Sequence, residues 1–301
     1  MKTLGNLIRR DLRLFFKDKG LFFSSMITPL ILLVLYATFL ARVYRDSFVS
    51  ALPSGFGVAD ALIDGTVAAQ LASSLLAVSC VTVAFCSNLL MIQDKASGAI
   101  RDLTVSPVRR CSVSAAYYAA SALSTLAVTF TALAACLIYM RTVGWYMSAG
   151  DVVCVILDTL LLTLFGTALS SCINFFLSTS AQASAVGTIV SAGYGFLCGA
   201  YMPISSFGEG LRKFLSFMPG TYGTSLLRNH MLAGVFREMS NVGFPDEALA
   251  GIRDSIDCSP QLLGETVSVG GMYAILGGAV VLFTALYIFF GMLAGRHASA
   301  K

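Results

Sequence analysis

Charged residues are scarce in this sequence. Only 12% of the 301 residues are charged, whereas soluble domains carry about 25%. Hydrophobic residues make up 56% of the chain, and the mean hydropathy is +0.79. This composition excludes an ordinary soluble globular protein and indicates a protein that crosses a membrane several times.

Residues that catalyse reactions within membranes are also scarce. The two histidines, His230 and His297, lie outside the long apolar segments, which argues against a membrane Ser–His hydrolase and an intramembrane metal site with histidine ligands. Asp158 is the only acidic residue clearly inside an apolar segment, so an aspartyl membrane protease would lack its second carboxylate. The sequence contains no G-x-x-x-x-G-K-S/T phosphate loop and no C-x-x-C pair. We therefore expect that the chain is not an enzyme and holds no cofactor or metal of its own.

Long apolar segments are abundant. A helix needs about 20 mainly apolar residues to span a bilayer, and six segments qualify: about 21–40, 67–91, 114–140, 152–177, 183–202 and 271–294. We predict an all-α membrane protein with six transmembrane helices, built as one transmembrane domain over residues 1–301. Lys and Arg are concentrated in residues 1–20 and 92–113. This bias places both termini and the 92–113 loop in the cytoplasm, and the segment 203–270 outside.

Residues 1–20 have the pattern of an amphipathic helix. Apolar residues recur at three- and four-residue intervals, and the other side carries Arg9, Arg10 and Arg13. Such a helix lies in the inner membrane interface, where its cations meet anionic lipid. The alternative is a plain positively charged anchor that need not be helical.

The 92–113 loop is charged and amphipathic. Its apolar residues recur at helical spacing: Ile92, Ala96, Ala99, Ile100 and Leu103. Pro107 lacks an N–H and should end this helix, while Gly98 would allow a partner's backbone to approach closely. A short helix between two spans can be the handle on which a soluble partner pulls. The alternative is a solvated turn that only orients the flanking spans.

Small and polar residues are frequent in the second and fifth predicted spans. Ser73, Ser74 and Asn88 belong to the second span, and Gly193 and Gly195 to the fifth. Such residues let helices pack closely and form hydrogen bonds with each other. Two interpretations are open: packing within one bundle, or a pathway between two copies of the bundle that these spans line.

Asp158 lies about two helical turns into the fourth predicted span. A carboxylate inside a membrane is costly and usually faces a cavity or a partner. It either contacts a cationic group of a substrate, as part of the candidate pathway, or forms an ion pair or hydrogen bond that locks two helices. We favour the lock.

The outer segment 203–270 begins with an apolar stripe that includes Phe207 and is bounded by Pro203 and Pro219. This stripe could enter the membrane again as a re-entrant segment, or lie on the bundle. Irregular backbone at membrane depth is tolerated only against protein or water. Residues 236–268 are more polar and have the composition of a surface excursion.

The order of these elements resembles the membrane subunit of ABC transporters of the ABC-2 class, which are similar to type V exporters. The loop 94–101, with the Ser-Pro at 106–107, resembles the family's acidic-basic-acidic-x-Gly-Thr stretch and its following Ser-Pro. Ala96 and Ala99 stand where the second acidic residue and the Thr are usual. The outer runs 199–203 and 218–222 resemble the family's outer signature.

The resemblance implies a mechanism for transport. Two such subunits, identical or paralogous, pair in the membrane, and a separate ATP-binding subunit, which holds ATP and Mg, docks beneath each. The 92–108 helix couples them, and the coupling residues would be Asp94, Lys95, Ser97, Gly98, Arg101 and Pro107. The N-terminal helix also contacts the ATPase. ATP binding then squeezes a pathway lined by spans one, two and five.

The expected function is the export of a hydrophobic or amphipathic compound, such as a drug, peptide or lipid-like molecule, across a bacterial plasma membrane. Membrane lipid is an expected partner, and nucleic acid is not. One alternative is an exporter of lipid-linked polysaccharide. An alternative of another class is a stand-alone channel or an integral membrane enzyme.

Overall fold

The computed structural model describes residues 2–51, 59–100, 110–262 and 264–299. Nearly all of them are helical. The helices are α1 (Lys2–Lys17), α2 (Lys19–Leu35), α3 (Ala41–Ala51), α4 (Asp60–Ser87), α5 (Leu89–Ser97), α6 (Arg110–Val143), α7 (Ala149–Phe175), α8 (Ser180–Leu197), α9 (Glu209–Ser216), α10 (Pro219–Met231), α11 (Ala233–Asn241), α12 (Asp246–Ser255) and α13 (Val269–Ser299). A π-helical segment, Tyr36–Leu40, joins α2 to α3, and the strands β1 (Gln261–Leu262) and β2 (Glu265–Thr266) pair antiparallel.

Within the described residues, five helical stretches are long and apolar enough to cross a membrane: Lys19–Asp46, Asp60–Ser97, Ser112–Val143, Ala149–Phe175 and Val269–Leu293. They coincide with predicted spans one, two, three, four and six. The predicted fifth span corresponds to α8, which is not among these five. The count of six spans therefore stays a prediction.

The α4 helix forms the centre of the bundle. It packs against α2, α6, α7, α8 and α10, and nearly all its side chains are buried. The α4 helix packs closely against α7 because α4 carries many small residues and α7 carries Gly166 where the two helices cross. A Cβ on Gly166 would lie only 2.7 Å from the Cys80 carbonyl oxygen. Such an approach leaves no room for a larger residue at this crossing.

The outer segment is divided between exposed and enclosed parts. The apolar stripe of α9 is exposed, since Leu211, Phe214 and Phe217 keep about half of their surface accessible. The next helix, α10, has Pro219 at its first turn and packs against α4, α7 and α13. Pro203 and the half-buried Phe207 flank a short 3-10 turn before α9. Part of the predicted stripe is thus open to its surroundings, whereas Leu215 is buried and α10 enters the bundle.

A buried arginine joins α10 to the end of α8 and to Asp257. Arg228 is 1% exposed, and its guanidinium donates to the Gly199 carbonyl oxygen at 2.6 Å and to the Asp257 carboxylate at 3.4 Å. Asp257 also accepts a hydrogen bond from the Ile204 N–H at 2.6 Å. A buried charge needs such partners, so these contacts fix α10 relative to the end of α8.

Candidate functional site

The short helix α5 follows α4 at the end of the bundle that carries α1. It ends at Gly98, whose φ of +83° is left-handed, and the Gly98 N–H donates to the Lys95 carbonyl oxygen at 3.3 Å. Among the described residues, a Cβ on Gly98 would meet nothing within 4 Å. The glycine therefore meets a conformational need of the helix end. The close approach of a partner's backbone at Gly98 stays a prediction.

The prediction of one helix from 92 to Pro107 is wrong, because α5 ends before Gly98. Apolar periodicity continues past this residue, but the left-handed backbone breaks the helix there. The backbone is helical again at 99–100, and residues 101–109, with Arg101 and Pro107, lie outside the described residues.

Asp94 is buried and joins α5 to two other helices. Its carboxylate accepts hydrogen bonds from the Arg10 guanidinium of α1 at 2.8 Å and from the Tyr117 hydroxyl of α6 at 2.5 Å. Arg10 also contacts Asp11 at 2.8 Å, and burial raises the pKa of Asp11 to about 6, although the charge of Arg10 opposes this shift. The predicted interfacial helix and the predicted coupling loop therefore meet through side chains.

Lys95 joins α5 to the last turn of α7. Its ammonium group donates to the carbonyl oxygens of Phe175 at 2.6 Å, Leu177 at 3.2 Å and Asn174 at 3.5 Å. It also lies 5.3 Å from the centre of the Phe175 ring. The sequence placed Asp94 and Lys95 in a charged loop that faces a partner, but both are bound within the subunit.

Exposed residues remain on the other side of α5. Gln93, Ala96 and Ser97 are exposed, and their spacing places them on one face of the helix. Arg9 and Arg13 of α1 are also exposed, whereas Arg10 is half-buried. This corner of the bundle therefore presents a neutral stripe on α5 and cations on α1.

Asp158 forms the second polar cluster, at the junction of three helices. It is 1% exposed, accepts a hydrogen bond from the Tyr273 hydroxyl of α13, and lies 2.6 Å from Nδ1 of His230 on α10. A carboxylate so enclosed needs partners. This geometry is that of a lock between helices, whereas contact with a cationic substrate stays a prediction.

A family model described as ABC-2 type transporter matches residues 3–232, which is more than half of the chain. The chain belongs to this family. It is a multi-pass membrane permease of an ABC transporter. Such permeases normally pair with an ATP-binding subunit. No curated protein matches the chain.

The residues predicted to line a pathway occupy different environments in the permease. Ser73, Ser74 and Asn88 are each at most 2% exposed, because α4 is enclosed by other helices of the same subunit. Packing within the bundle accounts for these three, and a pathway between two copies that they line stays a prediction. Gly195 is covered by Tyr201, whereas a Cβ on Gly193 would meet nothing within 4 Å in the part of the chain that the structure describes.

Asn88 has a specific packing role. Its side-chain amide donates to the Ser170 hydroxyl at 2.5 Å and to the Ser171 hydroxyl at 3.1 Å. Both serines belong to the last two turns of α7. The α4–α5 junction and the end of α7 are therefore linked by two sets of polar contacts, those of Asn88 and those of Lys95.

Sequence reasoning missed the partners in both clusters. Tyr117, His230 and Tyr273 stand far along the chain from Asp94 and Asp158, and no spacing rule connects them. One signal was present: a lone carboxylate in an apolar segment must find a donor. That signal indicates that the carboxylate has a partner, but it does not identify the partner.

Proposed function

We propose that this permease is the membrane subunit of an ATP-driven exporter that moves a hydrophobic or amphipathic compound out of the cytoplasm or the inner leaflet. ATP and Mg are bound by a separate ATP-binding subunit, and a second permease, identical or paralogous, completes the transporter. The observation that carries the proposal is the corner where α1, α5, α6 and α7 are joined by Asp94 and Lys95. It supports a firm docking platform beside the exposed stripe of α5.

The proposed topology has six spans, with α8 as the fifth. Its 18 residues extend roughly 27 Å at about 1.5 Å per residue, close to the hydrocarbon thickness of about 30 Å. An even number of spans puts both termini on one side of the membrane. That agrees with the excess of Lys and Arg in residues 1–20 and 92–113, which favours the cytoplasm of a bacterial cell.

The proposed pathway follows α8 and α2 rather than α4. Both helices have largely exposed apolar surfaces, and α8 carries the open Gly193. A second permease that packs near these faces would enclose a route between the two copies. The mainly apolar character of these faces supports a hydrophobic or amphipathic substrate.

The test is uptake into inside-out membrane vesicles that contain the permease and its ATP-binding subunit. A hydrophobic fluorescent dye should accumulate in the lumen only with ATP, and only when both subunits are present. Entry that requires the permease but not ATP, and that stops at equal concentrations on both sides, would contradict the proposal and favour a channel. Movement of a lipid-linked oligosaccharide but of no dye would favour the polysaccharide exporter.

A further inference from the structure

The two ends of α7 are capped in different ways. At its start, Ser148 and Asp151 form a capping box, with the Asp151 N–H donating to the Ser148 hydroxyl at 3.2 Å and the Ser148 N–H to the Asp151 carboxylate at 2.8 Å. The last turn of α7 carries no basic residue. The final carbonyls of a helix lack partners within the helix and bear partial negative charge. At the end of α7, the N–H groups of residues 176 and 177 donate to the carbonyl oxygens of residues 173 and 174 at 3.2 Å. A cation from elsewhere can meet the carbonyl oxygens that follow.

Lys95 of α5 supplies this cation. An ammonium group has three N–H donors, and here three carbonyl oxygens, those of Asn174, Phe175 and Leu177, lie within 3.5 Å of it. The aromatic ring of Phe175 adds a further favourable contact. Lys95 is thus a C-terminal cap that a different helix provides.

We propose that Lys95 is a positioning residue that holds the end of α7 to α5, so that a displacement of α5 by the ATP-binding subunit carries α7 with it. The inference rests on the proposed function, because it requires an ATPase that moves α5. Asn88 adds a second link between the same elements through Ser170 and Ser171. Both links join residues about 80 positions apart, so they act between helices.

The α7 helix also reaches the outer segment. Asp158 lies about 17 residues before the end of α7, or roughly 25 Å along its axis at about 1.5 Å per residue. There it contacts His230 of α10 and Tyr273 of α13. Under this proposal, a movement of the α7 end that contacts Lys95 also displaces α10, which packs against α4, α7 and α13.

Under this proposal, both charged residues of α5 form their contacts within the permease. Asp94 holds α1 and α6, and Lys95 holds α7. The exposed Gln93, Ala96 and Ser97 are left to meet the ATP-binding subunit. Replacement of Lys95 should therefore separate movement of α5 from movement of α7 without removing the docking surface.

The test is hydrogen exchange measured by mass spectrometry on the complete complex in nanodiscs, with and without ATP plus vanadate. In the wild type, nucleotide should change exchange in peptides covering residues 89–97 and 170–178. In Lys95→Gln, the change at 89–97 should persist, and the change at 170–178 should fall to less than a third. Lys95→Arg should restore at least half of it. Lys213→Gln, the same change at an exposed outer lysine, should behave like the wild type.

The possible results separate the two proposals. If nucleotide changes hydrogen exchange at 89–97 and also changes it fully at 170–178 in Lys95→Gln, the positioning role is refuted while the proposed function stands. A higher basal exchange at 170–178 with an unchanged nucleotide response would also refute it, because that pattern means a structural cap only. If nucleotide does not change hydrogen exchange at 89–97 in the wild type, the proposed function fails. Lys95→Met, which keeps the apolar stem, replaces Lys95→Gln if that variant does not assemble.

Discussion

Replacing Asp158 by asparagine should destabilise the permease and reduce the export of all substrates together. The substitution keeps the shape of the side chain and removes its charge. The new side chain still offers one oxygen to the Tyr273 hydroxyl, but its amide group then faces His230, where the carboxylate oxygen now lies 2.6 Å from Nδ1. Two charge-assisted contacts thus become one neutral hydrogen bond and one contact that depends on the histidine tautomer.

The size of this effect follows from the contacts that change. A hydrogen bond to a charged group contributes about 1.5–3 kcal/mol and a neutral one about 0.5–1.5 kcal/mol. With two contacts weakened, we expect a loss of about 2 kcal/mol in the free energy of unfolding. At about 2 °C per kcal/mol for a large domain, the melting temperature should fall by about 4 °C.

The assay is the melting temperature of the purified permease in detergent, compared with export of one cationic and one neutral dye. Asp254→Asn, the same change at an exposed position, is the matched control and should leave stability unchanged. A double-mutant cycle of Asp158→Asn with His230→Asn should give a coupling energy of about 1 kcal/mol or more. Unchanged stability with selective loss of the cationic dye would refute the lock and favour contact with substrate.

Two further predictions concern the corner where α1 meets α5. Gly98→Ala should lower the free energy of unfolding by about 1 kcal/mol and reduce the yield of complex, because alanine is strained at φ +83° although a Cβ there meets no described residue. The control is Gly5→Ala, inside α1 and equally uncrowded, which should be neutral or slightly stabilising. Equal melting temperatures for the two variants would contradict this reasoning. Asp11 has a pKa of about 6 in the fold against an ordinary 3.8, so its ionised form weakens the fold, and this penalty shrinks as the pH falls from 6 towards 3.8. Asp11→Asn should therefore raise the melting temperature at pH 7.5 and keep only about half of this gain at pH 5. A larger gain at pH 5 than at pH 7.5 would contradict the prediction.

Much of the helical framework follows from sequence. Hydropathy and length predict five stretches that the structure also has, since a membrane span is a local property of about 20 residues. The helical character of residues 1–20 follows from periodicity in the same way. The break at Gly98 does not, because apolar spacing continues through it and only the backbone angle reveals the stop.

The contacts of the candidate site depend on packing and were beyond sequence reasoning. Asp94 and Lys95 stand in a charged loop, so a sequence pattern places both toward solvent. In the structure, the Tyr117 hydroxyl contacts Asp94, and carbonyl oxygens at the end of α7 contact Lys95. The buried environment of Ser73 and Ser74 has the same origin, since small polar residues suit both an enclosed helix and a pathway.

The central claim is that this permease works with a separate ATPase that binds beside α5. The most direct measurement compares ATP hydrolysis by the purified permease alone with hydrolysis by the co-purified complex, with a photo-crosslinker at Gln93 to identify what lies against the stripe. We predict no hydrolysis by the permease alone, hydrolysis by the complex, and crosslinking of Gln93 to the ATP-binding subunit. Hydrolysis by the permease alone, or a complex in which Gln93 crosslinks only to lipid, would contradict the account.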